Sequence, residues 1–176
     1  MLIGKKVCLG PVLNGDAPAL FNWVDSPDIA LTNGSYRPAD EAKFILWLTG
    51  FGSDPTRVFF AIRRQGDLRL LGYVQITNIH PILRSAEIGI AIGNAEDRGQ
   101  GFGLEAVRMA VDYCWRDLNL QRVSLSVLSN NPGARHVYGK AGFKVEGTLR
   151  YGAYANGQFH DLTLMAILRA DDEVRA

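Results

Sequence analysis

Residues 97–107, DRGQGFGLEAV, place glycines at 99, 101 and 103 and run straight into an amphipathic segment. Alternate glycines leave backbone N–H groups uncovered where a helix begins. The helix start itself adds roughly half a positive charge. Such a turn is a ready anion site, and the spacing decides which anion. The dinucleotide template G-x-G-x-x-G is met at Gly99 and Gly101 but fails at Leu104. A Walker A loop fails as well: the Gly139-Lys140 pair has Ala134 and Ala141 at the other key positions. Arg98–Gly103 instead follows R/Q-x-x-G-x-G/A, between an apolar strand and a helix.

Working outward, the helix expected over 102–117 carries Val107, Ala110, Val111, Cys114 and Leu118 at spacings that make one apolar stripe, as for a helix lying on a sheet. Residues 85–93 before it and 121–129 after it read as strands, and PGARHVYGKAG as a short helix with Pro132 at its start and Gly142 past its end. Residues 144–154 and 158–168 read as a closing hairpin around Asn156-Gly157. Upstream, RVFFAIRR and LRLLGYVQITNI flank a turn at Gln65-Gly66-Asp67. Before them stand an expected strand (KKVCLGPVL) and a helix over 16–24 with an Asp16 cap signal. A second helix in 37–50 has Phe44, Trp47 and Leu48 on one face. This order predicts one mixed α/β (α+β) domain over 1–176, with a mostly antiparallel central sheet, flanking helices and one parallel crossover.

A second motif lies downstream. SNNPGARHVYGKAGF supplies Asn131, Ala134, Tyr138, Lys140, Gly142 and Phe143 in the pattern N-x-x-A-x-x-x-Y-x-K-x-G-F. With the glycine loop upstream and each motif on the right element, the chain from about Phe59 to Leu168 resembles the GNAT superfamily of acetyl-CoA-dependent N-acetyltransferases. The cast of AEIGIAIG…RGQGFGLEAV and of the last hairpin is similar to the branch with ribosomal-protein alanine and spermidine acetyltransferases. The first 58 residues match only in layout.

The resemblance implies a GNAT fold with a splayed parallel strand pair at the cofactor site. It also implies direct transfer of acetyl from acetyl-CoA to a primary amine, either a protein N-terminus or a small molecule. The amides of Arg98, Gly99, Gln100, Gly101, Phe102 and Gly103 would hold the pyrophosphate, and backbone groups at Ile90 and Ile92 the pantetheine arm. Tyr138 would be the general acid toward the thiolate. Asn131 would bond the cofactor arm, cap the short helix, or do both. Glu87 would be the general base, its alternative being a solvated or Arg-paired strand residue. Homodimers are common in this branch. A non-catalytic acyl-CoA sensor that keeps the fold is the rival reading.

Composition narrows the field further. Nineteen basic against 18 acidic residues give a net charge of +1, which offers no electrostatic case for nucleic acid or an anionic membrane. No apolar run approaches the roughly 20 residues that span a bilayer, and the N-terminal segment lacks signal-peptide features, so a cytoplasmic location is expected. Cys8 and Cys114 form no CxxC pair, and no His/Cys/Asp/Glu spacing suggests a metal. His160, Asp161, Trp23, Tyr36, Tyr151 and Tyr154 are further candidates for the acceptor side, and Asp25, Asp28, Asp40 and Glu41 are the carboxylates a polyamine could use. Asn33-Gly34-Ser35 matches a glycosylation sequon that reads as a turn.

Overall fold

The sheet grows from a strand whose residues alternate between two buried faces. In β4 (Leu70–His80), Val74 and Ile76 point to one side and the half-buried Tyr73, Gln75 and Thr77 to the other; Leu71 joins the Val74 core through a register shift at the start of the strand. The computed structural model describes residues 1–26, 29, 38 and 40–173. β4 pairs antiparallel with β3 (Val58–Arg64) and β5 (Ser85–Ile92), setting Tyr73 opposite both Ala61 and Ala91. The expected turn at 65–67 joins β3 to β4, with Gly66 at φ +107°.

Eight strands form one sheet in the order β1-β2-β3-β4-β5-β6-β8-β7. β1 (Leu2–Ile3) and β2 (Val7–Gly10) make a small hairpin where one strand over 5–13 was expected: Lys5 and Lys6 form its turn, and Pro11, lacking an N–H, follows its end. β6 (Arg122–Leu128) runs parallel to β5, and α3 (Phe102–Arg116) is the crossover between them. After α4 (Pro132–Ala141), β7 (Lys144–Ala155) and β8 (Gln158–Leu168) close the sheet. Asn156 and Gly157 both have positive φ, as a two-residue hairpin turn requires. A five-residue helix, α5 (Arg169–Glu173), ends the described chain.

Each face has its own core. Val107, Ala110, Val111 and Cys114 of α3 pack on Val7, Ile62, Val74 and Ile88, so the predicted stripe does face the sheet. On the other face α1 (Ala17–Val24) and α2 (Glu41–Gly50) bring Leu20, Trp23, Phe44 and Leu48 against Ala91 and Tyr73. Trp47 departs from the expected stripe: Phe44 and Leu48 are buried, but Trp47 is exposed and meets Phe59 edge-on at 6.0 Å. A Cβ on Gly93 would stand 1.9 Å from the Trp23 indole, so glycine is what lets the helix α1 side chain cross the end of β5.

Asp16 does not cap α1. It is buried, and its carboxylate accepts from Arg63 and from the Leu13 N–H (2.7 Å), a tertiary partner 47 residues away outbidding the local one. Cys8 and Cys114 are both buried free thiols, and burial pushes Cys114 up to about 12. No described helix is long and apolar enough to cross a membrane.

Two outcomes follow from these cores. Asp16→Ala leaves the buried Arg63 guanidinium without its carboxylate, and urea titration should show a loss of about 3 kcal/mol. Neither cysteine should react with a thiol reagent at pH 8 until denaturant is added, because both are shielded and Cys114 carries no thiolate there.

Candidate active site

β5 and β6 pair only where Ser85, Ala86 and Glu87 face Arg122, Val123 and Ser124; beyond that no register joins them. The resulting splay is the core of a cleft of about 1280 Å³ that also reaches the glycine loop and α4. Strand geometry determines what β5 presents to it. The Gly93 N–H is donated to Leu71 O of β4 at 2.9 Å, so by alternation residues 88, 90 and 92 turn their peptide groups away from β4 and into the splay. The Ile92 carbonyl agrees, accepting from Arg98 Nε at 3.1 Å on that side. Ile90 and Ile92 therefore line the cleft with peptide groups directed into the splay.

The glycine loop is built by its neighbours. Gly99 and Gly101 adopt φ of +75° and +86°, a turn that β-carbon-bearing residues resist, and α3 starts at the next residue. Asp97 is buried in a two-point ion pair with Arg69 and also accepts from Asn94 Nδ2 at 3.4 Å. Hydrogen bonding to Arg69 holds its carboxyl below the usual range, so it stays ionised. Arg98 folds its guanidinium back onto the Ile92 and Gly93 carbonyls, and Gln100 Nε2 onto Glu96 O. Phe102 inserts its ring in the core. Gly99, Gly101 and Gly103 line the cleft, as does Arg98, whereas Gln100 and Phe102 do not. What the loop offers a ligand is backbone.

Asn131 caps α4, its Oδ1 accepting from the Ala134 N–H at 3.0 Å, and it also lines the cleft. Tyr138 is 6% exposed and packs edge-on against Phe143. Burial pushes its phenol up to about 12; a hydrogen bond from the Ile90 backbone opposes this, and Tyr73 nearby adds to it. Tyr138 thus remains protonated at neutral pH, at the edge of the splay.

Glu87 approaches from the opposite face. It shares a side with Gly89 and Ala91, across from Thr77, Gln75 and Tyr73. Glu87 is exposed and lines the cleft, and no ion pair or side-chain hydrogen bond engages it among the described residues. The splay is thereby open to α3 and α4 on one side and to Glu87 on the other.

Tyr73 was missed by sequence reasoning. It stacks on Phe59 with centroids 5.2 Å apart, and with Trp47 it forms an aromatic wall on the Glu87 side. The alternation of β4 puts it on this face, but only the strand register brings it to the cleft.

Other candidates fall elsewhere. Trp23 is buried and donates to Asn94 Oδ1 at 3.2 Å. His160 is held by Asn130 and the Ala155 carbonyl, Asp161 accepts from the Tyr151 N–H at 2.9 Å, and Tyr154 packs on Phe159. None of these five lines the cleft. Asp40 caps α2 through the Lys43 N–H, and Asp25 and Glu41 also lie off the cleft. Tyr36, Asp28 and the sequon lie outside the described residues. Among the described residues no group of three or more His, Cys, Asp or Glu is placed to hold a metal.

Comparison with known proteins agrees with this geometry. Residues 6–144 match the family model described as Acetyltransferase (GNAT) domain. The spermidine N(1)-acetyltransferase of Vibrio cholerae is 39% identical over 101 residues, 57% of this chain and 58% of that protein. The chain spans about three fifths of the length of the first curated relatives it matches. The crystal structure of spermidine N-acetyltransferase from Vibrio cholerae in complex with CoA and spermine superposes with a TM-score of 0.89 at 27% identity, covering 96% of this chain and 98% of that one. A dodecameric structure of the same enzyme gives a TM-score of 0.81 at 26% identity, covering 98% and 99%. The match over most of the chain, on the fold that the glycine loop and the splay predict, establishes that this protein belongs to the GNAT acetyltransferase family.

Proposed function

We propose that the chain is an acetyl-CoA-dependent N-acetyltransferase that transfers acetyl directly to a primary amine. The observation that carries this reading is the meeting of the buried Tyr138 phenol with the Ile90 backbone at the splay, just below the glycine loop. The uncovered amides around Gly99 and Gly101 hold the pyrophosphate, and the Ile90 and Ile92 peptide groups pair with the pantetheine arm as an added strand would. Asn131 flanks that arm.

Glu87 receives the proton of the acceptor ammonium, directly or through water, leaving a free amine to attack the thioester carbon. The N–C bond forms and a backbone N–H of β5 faces the oxyanion; the C–S bond then breaks. Tyr138 donates a hydrogen bond to the departing sulfur. A phenol at about 12 is a far weaker acid than a thiol near 8.5, so its proton is shared rather than surrendered, and the extra proton of the new amide nitrogen completes the thiol. No cysteine is placed to carry the acyl group, because Cys114 is sealed in the core and Cys8 is buried.

For the acceptor we favour a small-molecule amine of the polyamine class. The Vibrio cholerae relative is named for spermidine, and the wall of Trp47, Phe59 and Tyr73 beside the Glu87 carboxylate suits an ammonium-bearing chain. A protein N-terminus is the competing acceptor. We place the reaction in the cytoplasm, where acetyl-CoA and reduced thiols are at hand. Self-association is supported by the dodecameric neighbour and by the exposed Leu149, Tyr151, Tyr154 and Phe159 of the last hairpin; light scattering on the purified chain should report more than one copy.

Three measurements test the reading. Free-thiol release with acetyl-CoA should be faster with spermidine than with peptide N-termini; CoA binding without thiol release on any amine would identify a sensor instead. Tyr138→Phe should lower kcat about 100-fold with acetyl-CoA affinity nearly intact, and a fully active variant removes the role. Glu87→Gln should abolish the acidic limb of the pH profile of kcat/KM; if that limb survives, another group takes the proton.

A further inference from the structure

The phosphate loop carries an apparent electrostatic fault. Glu105 sits in the first turn of α3, where its charge favours the helix but would oppose an anion held by the glycine loop. The structure turns that carboxylate to the rear. Glu105 Oε1 and Oε2 accept from the backbone N–H groups of Lys5 and Lys6, at 3.2 and 3.0 Å for Lys6. These amides belong to the turn of the β1–β2 hairpin, whose backbone is fixed in turn by the Gln65 N–H on Lys6 O at 2.8 Å. Gly4 makes the approach possible, since a Cβ there would lie 2.5 Å from Glu105 Oε1.

Lys6 does more than donate its amide. Its Nζ donates to the Gln100 carbonyl at 2.9 Å, in the middle of the glycine loop, and stands 3.2 Å from where a Cβ on Gly101 would be. A trans peptide is planar, with its carbonyl and the following N–H on opposite edges. Holding Gln100 O toward β2 therefore directs the Gly101 N–H the other way, and Gly101 lines the cleft. The ammonium also places a positive charge behind the loop, on the side where Glu105 is tied.

We propose that the β1–β2 turn is a clamp on the phosphate loop, with Lys6 as a positioning residue that aims the Gly101 amide at the pyrophosphate and offsets the charge of Glu105. The inference rests on the cleft being a CoA site. It assigns a function to a hairpin that lies apart from the cleft and contributes nothing to its lining. The ligand chemistry the clamp serves is the diphosphate, because Lys6 touches only the glycine loop whose amides would hold it.

Calorimetry of CoA and 3′-dephospho-CoA on the full chain tests it, with steady-state kinetics beside it. Binding of CoA to the unaltered protein at micromolar affinity is the control on which the reading of the cleft stands or falls. Given that, Lys6→Met should weaken CoA and 3′-dephospho-CoA by the same factor of about ten, the loss of one charge-assisted contact. The KM for acetyl-CoA should rise with kcat at saturation within about twofold, and Lys6→Arg should restore most of the affinity. Lys6→Gln, which keeps a donor without charge, should fall between Met and Arg. CoA binding within twofold of the parent in both Met and Gln variants overturns the clamp. So does a loss confined to CoA, which would place Lys6 at the 3′-phosphate.

Discussion

After Glu87 the two parallel strands at the middle of the sheet part, and the interior of the molecule is organised around that gap. A central strand that loses its partner leaves N–H and C=O groups that must find another partner, water or a ligand. Here they belong to residues 88–92; the Tyr138 phenol meets Ile90, and Arg98 Nε meets the Ile92 carbonyl. The cost of leaving the rest unmatched is carried by a strongly built frame on either side: the long β3–β4–β5 and β6–β8–β7 ladders. A binding groove is obtained by withholding hydrogen bonds at one place in an otherwise complete sheet.

The two faces of the sheet divide the work. The α3–α4 face supplies the glycine loop, Asn131 and Tyr138, all facing the proposed donor. The α1–α2 face supplies Glu87, Tyr73 and Trp47 on the side of the proposed acceptor. Reactants that enter from opposite faces meet only where the sheet is open. In the proposed reaction this sets Glu87 and the Tyr138 phenol on opposite faces of the sheet.

Local rules made much of this legible beforehand. The glycine spacing, the stripe of α3, the Pro132 and Gly142 bounds of α4 and the Asn156-Gly157 turn depend on residues a few positions apart, and each lies where it was read. The same rules misread Asp16, whose sequence neighbourhood says cap, because its partner Arg63 comes from another strand. They misplaced the first strand, since a two-residue strand and a two-residue turn carry too little alternation to register. Tyr73, Lys6 and the aromatic wall owe their positions to sheet register, which no local window contains.

Consider finally the buried Asp97, gripped by Arg69 across the end of the sheet. That ion pair, with Arg98 folded on the β5 carbonyls, fixes the glycine loop before any ligand arrives. Ordering of the loop is thus built into the fold, and the proposed diphosphate would have little conformational entropy left to remove. Association with the loop becomes a matter of exchanging water for amides on a finished surface.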